Sequence, residues 1–425
     1  MAAMAAAAIW ERGLKFSPFR NRNFRFQWPA DLLTSWAFEM ETLILGWYIL
    51  VETKSVLLLT VFAALYFVGT LVAPVFGVVG DRIGHRDLLA AMRVFYMAQA
   101  AILTLLIFTG TIAPLYVFIV ALMMGVVRPS DLGVRGALVA TIMPHDQLVG
   151  ALSISRTTMD TARMAGALSG AGLFAILGMG PAYAAIVAIY TASMVLTLCI
   201  HAPAKPHPID DAASHMLRSS PLRDLKEGLA YVWQSPRMQA SIWIAVLVNL
   251  TAYPLSGGLL PYIAREVYGA GSTDLGYLSA SFAAGSLVGS IGLGLVGGVR
   301  VARLMIAATL VWYVTLLVFA QVQTVQMAIV CLMLAGFVQS LAMISLAVIL
   351  MRSASEHLRG RVMGIRMMAI YTLPLGLLAA GNLIGQIGFT TTATLYAACG
   401  LTLLLFIALR WRGELLHVHA PANAK

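Results

Sequence analysis

Charge and cysteine are both scarce in this sequence. Only 11% of its 425 residues are charged, whereas 60% are hydrophobic, and a soluble globular chain carries roughly twice that share of charge. The three cysteines, Cys199, Cys331 and Cys399, are widely separated. Neither a disulfide framework nor a cysteine metal site is therefore predicted.

Motifs for catalysis and nucleotide binding are also missing. No G-x-x-x-x-G-K-[ST] run occurs, which argues against direct use of ATP. All eight histidines, from His85 to His419, fall in predicted loops or at the ends of apolar runs. None of them has a nucleophile and an acid at a recognisable spacing. We therefore expect neither an enzyme nor a bound cofactor or metal.

Long apolar runs dominate the sequence. A membrane-crossing helix needs about 20 apolar residues, and twelve runs reach that length. They cover approximately 28–51, 55–80, 88–109, 113–142, 149–177, 180–201, 238–263, 274–297, 301–321, 324–352, 362–388 and 389–411. Because a backbone in lipid must satisfy its own hydrogen bonds, these runs are predicted to be helices. Glu11, Arg12 and Lys15 precede the first run, so no cleavable signal peptide is expected.

Arginine and lysine are distributed unevenly among the turns. The amino-terminal tail, the even-numbered turns, the central polar segment and the tail after the last run hold most of them, whereas the opposite side has only Lys54 and Arg265. Basic residues stay on the cytoplasmic side, so both termini are predicted to be cytoplasmic. The net charge of +10 is then a topology signal that also favours contact with anionic lipid. Nucleic acid is not an expected partner.

One long polar segment divides the runs into six and six. It covers 202–237 and ends in a stretch where Leu222, Leu225, Leu229 and Trp233 recur at helical spacing, which predicts an amphipathic helix on the membrane surface. The domains are therefore predicted as 1–201, 202–237 and 238–425. A shift of 210 residues also relates the halves: it lays Leu148, Gly150, Arg156, Gly166 and Gly178 onto Leu358, Gly360, Arg366, Gly376 and Gly388.

The turn after the second run carries the most specific motif. The residues from Gly77 to Arg86 read G-V-V-G-D-R-I-G-H-R. This run resembles the signature loop of the major facilitator superfamily, G-x-x-x-D-R-x-G-R-[RK], with His85 in place of the first basic residue. The segments Phe19–Arg25, Pro221–Arg237 and Arg359–Met363 are similar to the efflux branch that includes the enterobactin exporter.

This resemblance implies a fold and a gate. The fold is an all-α polytopic membrane protein with twelve transmembrane helices in two pseudo-symmetric six-helix halves. Asp81 would contact the start of span eleven and latch the halves while the cavity faces outward; the alternative is a tight basic turn that only sets topology. The implied cytoplasmic gate comprises Gly77, Gly80, Asp81, Arg82, Gly84, Arg86, Arg361 and Arg366. Among these, Gly84 is expected to adopt a positive φ.

Spans four and five contain an unusual set of charges. Ionisable residues in a membrane span are costly and usually functional, and these two spans hold Arg128, Asp131, Arg135, Arg156, Asp160 and Arg163. The numbers form pairs, 135 with 156, 131 with 160 and 128 with 163, that share one sum. A constant sum in an antiparallel hairpin predicts equal depth, so the six groups are expected to interlock as a ladder. Its role is either structural bracing or the coupling of protons or substrate charge.

Span one supplies the balancing acids. Glu39 and Glu41 lie about 200° apart around their helix, so only one is expected to join the ladder, and the other needs a different partner or a proton. The residues predicted to bind substrate or couple protons are Glu39, Glu41, Arg128, Asp131, Asp160 and Arg163. The carboxy-terminal spans offer only uncharged polar groups in comparable positions, such as Asn249, Tyr253 and Gln339.

The predicted function is secondary transport. We expect proton-coupled export of amphipathic organic small molecules by a monomer in the bacterial inner membrane. Span five continues as Gly166–Gly172, which resembles the superfamily's antiporter signature G-P-x-x-G-G, but Ala167 and Ala171 replace two of its residues. Ordinary small-residue helix packing explains the run equally well. The alternative function, suggested by the four arginines of spans four and five, is proton-coupled uptake of an organic anion.

The latch generates the first testable prediction. Asp81→Asn removes the charge expected to hold the halves together on the cytoplasmic side, so it should leave membrane insertion intact, shift the protein toward the inward-facing state and slow transport. Labelling of single cysteines from either side of the membrane measures the shift. An unchanged ratio of inside to outside labelling would show that Asp81 is not a latch.

Overall fold

The computed structural model describes residues 17–71, 76, 79–80, 82–201, 221–295, 301–355 and 358–413. Helices make up almost all of these residues, and no β-strand occurs among them. The all-helical prediction is therefore confirmed for the described part of the chain.

The amino-terminal part contains six long helical elements. They are α1 (Arg22–Thr53), α2 (Val56–Leu65), α3 (His85–Phe108), α4 (Pro114–Ile142), α5 (His145–Leu177) and α6 (Met179–Leu198). Two 3-10 turns accompany them, at Ser17–Arg20 and Val68–Leu71. Each helix coincides with one of the apolar runs, although α2 covers only the first part of its run and is followed by the 3-10 turn at Val68–Leu71.

The carboxy-terminal part is also helical. It contains α7 (Pro221–Gln234), α8 (Pro236–Thr251), α9 (Ser272–Leu295), α10 (Val301–Phe319), α11 (Val325–Ser353), α12 (Arg359–Met368), α13 (Thr372–Ile387) and α14 (Phe389–Arg410). A 3-10 turn at Ala369–Tyr371 joins α12 to α13. The helix α7 is the predicted amphipathic segment.

Eight helical stretches of the described chain are long and apolar enough to cross a membrane. They are His85–Phe108, Pro114–Ile142, Met179–Leu198, Ser272–Leu293, Val301–Phe319, Val325–Ser353, Arg359–Ile387 and Phe389–Arg410. Among the other four predicted spans, α1 and α5 carry several charges and the seventh run is broken. The second run is described only in part. The count of twelve therefore stays a prediction.

The break in the seventh run lies where proline and glycine cluster. After α8 ends at Thr251, short helical turns follow at Tyr253–Ser256 and Leu260–Tyr262, and a π-helical turn covers Ile263–Val267. Proline removes a backbone donor and clashes with the preceding turn, so Pro254 and Pro261 interrupt the helix.

Two glycines end helices at equivalent places. Gly178 follows α5 with a φ of 80°, and Gly388 follows α13 with a φ of 79°. Only glycine adopts this left-handed backbone without strain. The two residues are one of the pairs related by the shift of 210, so the internal repeat extends to backbone conformation at this position.

Contacts divide the described residues into two compact units. The first unit lies within Met1–Leu45 and Val68–Pro206, and the second within Gly46–Phe67 and His207–Lys425. In the first unit, α3 packs along α4 and α6; in the second, α9 and α10 pack on α11, and α2 packs along α13. The division at 201 and 238 read from the sequence stays a prediction.

The closest helix packing in the second unit depends on glycine. A Cβ on Gly285 of α9 would lie 1.9 Å from the Met333 carbonyl oxygen, and one on Gly336 of α11 would lie 2.0 Å from the Phe282 carbonyl oxygen. The backbones of α9 and α11 therefore meet face to face. Without a hydrophobic driving force in lipid, such close approach supplies much of the attraction between helices.

This packing generates the second prediction. Gly336→Ala places a methyl group against backbone that has no room to move, so it should destabilise the protein by about 1–3 kcal/mol. The control is Gly292→Ala on α9, where a Cβ would have no neighbour within 4 Å and where alanine favours the helix. Thermal unfolding of the detergent-solubilised protein measures both. Equal stability of the two variants would contradict this account of the α9–α11 contact.

Candidate functional site

A buried network of charged side chains joins three helices of the first unit. Asp31 on α1 lies beside two arginines: its Oδ1 is 2.5 Å from Nη2 of Arg93 on α3 and 3.5 Å from Nε of Arg135 on α4. Gln27 donates to the other oxygen, Oδ2, at 2.8 Å. Arg93 is fully buried. Because an unpaired buried charge is strongly destabilising, Asp31 holds these helices in one arrangement.

The network continues along α4. Oδ2 of Asp131 lies 3.1 Å from Nη1 of Arg128 and 2.6 Å from Nη2 of Arg135. Arg128 also stacks over the ring of Phe38, with its guanidinium carbon 4.1 Å from the ring centre. Three guanidinium groups thus share two carboxylates, so the network carries one positive charge in excess.

Glu39 and Glu41 face opposite sides of α1. Oε1 of Glu39 lies 3.6 Å from Nε of Arg163 on α5, with the side chains 26% and 42% exposed. Glu41 is fully buried, and its Oε2 accepts a hydrogen bond of 3.1 Å from the Tyr190 hydroxyl on α6. Its Oε1 has no partner among the described residues. The expected angular separation is confirmed, and Glu41 is the acid without a cation.

The helix α5 approaches α1 through its small residues. A Cβ on Gly166 would lie 2.7 Å from Cβ of Glu39, and one on Gly170 would lie 2.9 Å from Cα of Met40. The run that resembles an antiporter signature therefore forms a helix contact, and it positions Glu39 against Arg163.

Among the described side chains, no ion pair joins α4 to α5, so the predicted ladder is not found there; the part that involves Arg156 stays a prediction. The ion pairs of Arg128, Asp131 and Arg135 run along α4 or go to α1. Asp160 on α5 is buried but forms no ion pair with any side chain that the structure describes, and the side chain of Arg156 lies outside that part. The constant sum predicts how deep each residue lies in the membrane, but it does not predict toward which neighbouring helix the side chain points. Here the charged side chains of α4 face α1 and α3.

The predicted cytoplasmic gate is described only in part. Gly77 and Asp81 lie outside the described residues. Gly84 has the expected positive φ, 101°, and Gly80 fits closely against Leu88. Arg82 is exposed, and Nη2 of Arg86 donates to the Leu198 carbonyl at the end of α6, at 2.7 Å.

The carboxy-terminal members of the predicted gate lie on α12. Arg361 pairs with Glu227 of α7, with Nη1 2.5 Å from Oε2, and Arg366 is half-buried. The amphipathic helix is thus attached to the start of the eleventh run.

Sequence reasoning missed Asp31, Arg93 and Tyr190. The signal was available, because Asp31 and Arg93 are ionisable residues inside predicted spans. Both lie near the ends of their predicted spans, where a charge can reach water, so no function was predicted for them. Tyr190 gave no signal, because a tyrosine in an apolar helix is ordinary.

Comparison with known proteins identifies the class of this chain. Residues 30–371 and 242–424 match the sequence profile of the Major Facilitator Superfamily. The chain is 22% identical over 292 residues to macrolide efflux protein A of Streptococcus pyogenes, a match that covers 67% of this chain and 71% of that protein. It is 26% identical over 192 residues to the multidrug efflux pump Tap of Mycolicibacterium fortuitum, covering 45% and 46%.

The fold agrees with this match. A solved structure of the nucleoside transporter NupG superposes with a TM-score of 0.67 at 14% identity, covering 92% of this chain and 99% of that one. The chain therefore belongs to the Major Facilitator Superfamily. It is a multi-pass membrane protein with the family and fold of transporters.

The buried network generates the third prediction. Asp31→Asn leaves Arg93 and Arg135 without their shared carboxylate, so it should destabilise the protein by about 3–5 kcal/mol. Adding Arg93→Met should restore part of the loss, because one orphaned charge is then gone. The control is Asp87→Asn, whose ion pair with Arg86 is at the surface and should contribute less than about 1 kcal/mol. Thermal unfolding measures all three; an Asp31 variant as stable as the control would refute the network's structural role.

Proposed function

We propose that this chain is a proton-driven exporter of amphipathic organic molecules. It works by alternating access of two six-helix halves, 1–201 and 238–425, joined by the segment 202–237. The single observation that carries proton coupling is Glu41, a fully buried acid whose partner is a phenol rather than a cation. The other predicted site residues are Glu39, Arg128, Asp131, Asp160 and Arg163.

The relatives support the direction of transport. The two reported above are named for the efflux of macrolides and of multiple drugs. Compounds handled by such proteins are large and partly apolar, and adaptable pockets rich in methionine suit varied ligands. The 22 methionines of the chain agree with a substrate class of this kind.

The distribution of buried charge supports different roles for the two units. Every charged residue that is buried in the described part of the chain lies in the first unit: Asp31, Glu41, Arg93, Arg128, Asp131, Arg135 and Asp160. The second unit instead buries uncharged polar groups. Nε2 of Gln339 donates to the Tyr253 hydroxyl at 2.6 Å, and Ser286 donates to Oε1 of Gln339 at 3.0 Å. We assign proton coupling to the first unit and contact with uncharged parts of the substrate to the second.

The pairing of the arginines weighs against uptake of an organic anion. An anion site needs a guanidinium group whose charge is available to the ligand. Arg128 and Arg135 share the carboxylate of Asp131, and Arg163 pairs with Glu39. Among the arginines of the buried network, a single excess positive charge is then left to attract an anion.

The membrane location and the orientation follow from the family and from the uneven distribution of arginine and lysine among the turns. We place the protein in a bacterial inner membrane as a monomer, with both termini and the gate around Asp81 on the cytoplasmic side. Its partners are then the organic substrate, protons and anionic lipid.

Proton coupling generates the fourth prediction. Glu41→Gln mimics the protonated acid and cannot cycle, so it should abolish transport driven by a pH gradient in proteoliposomes while sparing substrate binding and energy-independent counterflow. The control is Glu39→Gln, a change at the half-exposed acid paired with Arg163, which should reduce gradient-driven transport less. Full gradient-driven accumulation by the Glu41 variant would exclude Glu41 as the coupling acid. If both variants retain it, the acids of α1 do not couple protons.

A further inference from the structure

The two carboxyl oxygens of Glu41 have different surroundings. Oε2 accepts the hydrogen bond of 3.1 Å from the Tyr190 hydroxyl, whereas Oε1 is buried and has no partner among the described residues. In a carboxyl group without partners the two oxygens exchange places by rotation of the terminal torsion. The hydrogen bond from Tyr190 therefore makes the two oxygens of Glu41 chemically distinct.

Tyr190 is held in place by the side chains around it. Its ring lies 5.8 Å from the ring of Tyr96 on α3, with the two planes 37° apart. Both side chains are enclosed, at 0% and 1% exposure. Because close packing restricts a buried ring to one orientation, the direction of the Tyr190 hydroxyl is fixed. The helix α6 thus presents a fixed hydrogen-bond donor to α1.

No charged side chain in the described part of the chain pairs with Glu41. The groups that act electrostatically on Tyr190 are Glu41 itself, Arg128 of α4 and Tyr96 of α3, whereas the polar group that acts on Glu41 is Tyr190. The balance between the charged and the neutral form of Glu41 therefore depends on one hydrogen bond within a buried setting.

A hydrogen bond from a phenol affects the two forms of an acid unequally. A carboxylate accepts a stronger hydrogen bond than a neutral carboxyl oxygen does, so the donor favours the charged form. A carboxylate offers only acceptors, and a protonated carboxyl group keeps one oxygen as an acceptor. Tyr190 can therefore donate to Oε2 in both forms without giving up its own proton.

We propose that Tyr190 positions the carboxyl group of Glu41 and sets the pH at which Glu41 exchanges its proton. This inference rests on the proposed role of Glu41 as the coupling acid. Oε2 accepts from Tyr190 in both forms, and the proton binds to and leaves from Oε1. Tyr190 is a positioning residue, because its O–H bond stays intact throughout.

The test follows the carbonyl band of protonated Glu41 in infrared difference spectra of the full chain in proteoliposomes. Loss of the band in Glu41→Gln identifies it. In Tyr190→Phe the band should move to a higher wavenumber, because the carbonyl oxygen Oε2 no longer accepts a hydrogen bond. The pH at which half of the band is lost should rise by roughly 1 pH unit or more, because the carboxylate loses a charge-assisted hydrogen bond.

A matched control and a second variant separate positioning from a general loss of structure. The hydroxyl of Tyr313 in the second unit is also buried and lies 2.7 Å from Oγ1 of Thr251, so Tyr313→Phe should leave the band and its pH dependence unchanged. If Tyr190→Phe does not fold, fluorotyrosine at position 190 keeps the shape of the side chain. Its more acidic hydroxyl is a stronger donor, so the wavenumber and the pH at half-loss should both fall.

The outcomes distinguish this inference from the function on which it rests. A wild-type band position and pH dependence in Tyr190→Phe would overturn the positioning role, while a defect of Glu41→Gln in gradient-driven transport would still support proton coupling. Full gradient-driven transport by Glu41→Gln would overturn the proposed coupling and, with it, any role of Tyr190 in transport.

Discussion

Placing an ion in a protein interior costs several kcal/mol unless a partner of opposite charge and further hydrogen bonds replace its water. In the first unit, each of two carboxylates pairs with two arginines. Asp31 serves Arg93 and Arg135, and Asp131 serves Arg135 and Arg128, so helices α1, α3 and α4 are linked by one continuous set of ion pairs. Loss of either carboxylate leaves an arginine unpaired, so the position of these helices depends on Asp31 and Asp131.

Glu41 is outside this set although it lies on the same helix as Asp31. Its hydrogen-bond partner in the described residues is the Tyr190 phenol, so no described ion pair resists a change in its charge. An acid within the network braces the fold, whereas an acid beside it can gain or lose a proton without unfolding the bundle. Asp31 and Glu41 differ because they face different helices.

Much of the fold could be predicted from the sequence, because length and hydropathy determine where a helix can lie in a membrane. The runs predicted at 88–109, 113–142 and 180–201 agree closely with α3, α4 and α6. The opposite faces of Glu39 and Glu41 followed from helical geometry. The partners of the α4 charges did not, because they depend on how α1 and α3 are rotated about their axes. That rotation is set by contacts such as Gly166 against Glu39, which no spacing in the sequence reveals.

The ion pairs of Asp31 also impose an order on biosynthesis. Arg93 follows Asp31 by 62 residues and Arg135 by 104. At a synthesis rate of about 5–20 residues per second, roughly 3–12 s pass before the first arginine is made and roughly 5–21 s before the second. Throughout that interval the Asp31 carboxylate lacks the arginines with which it pairs in the folded bundle. Assembly of the first bundle is therefore a late, cooperative event rather than the sequential insertion of independent helices.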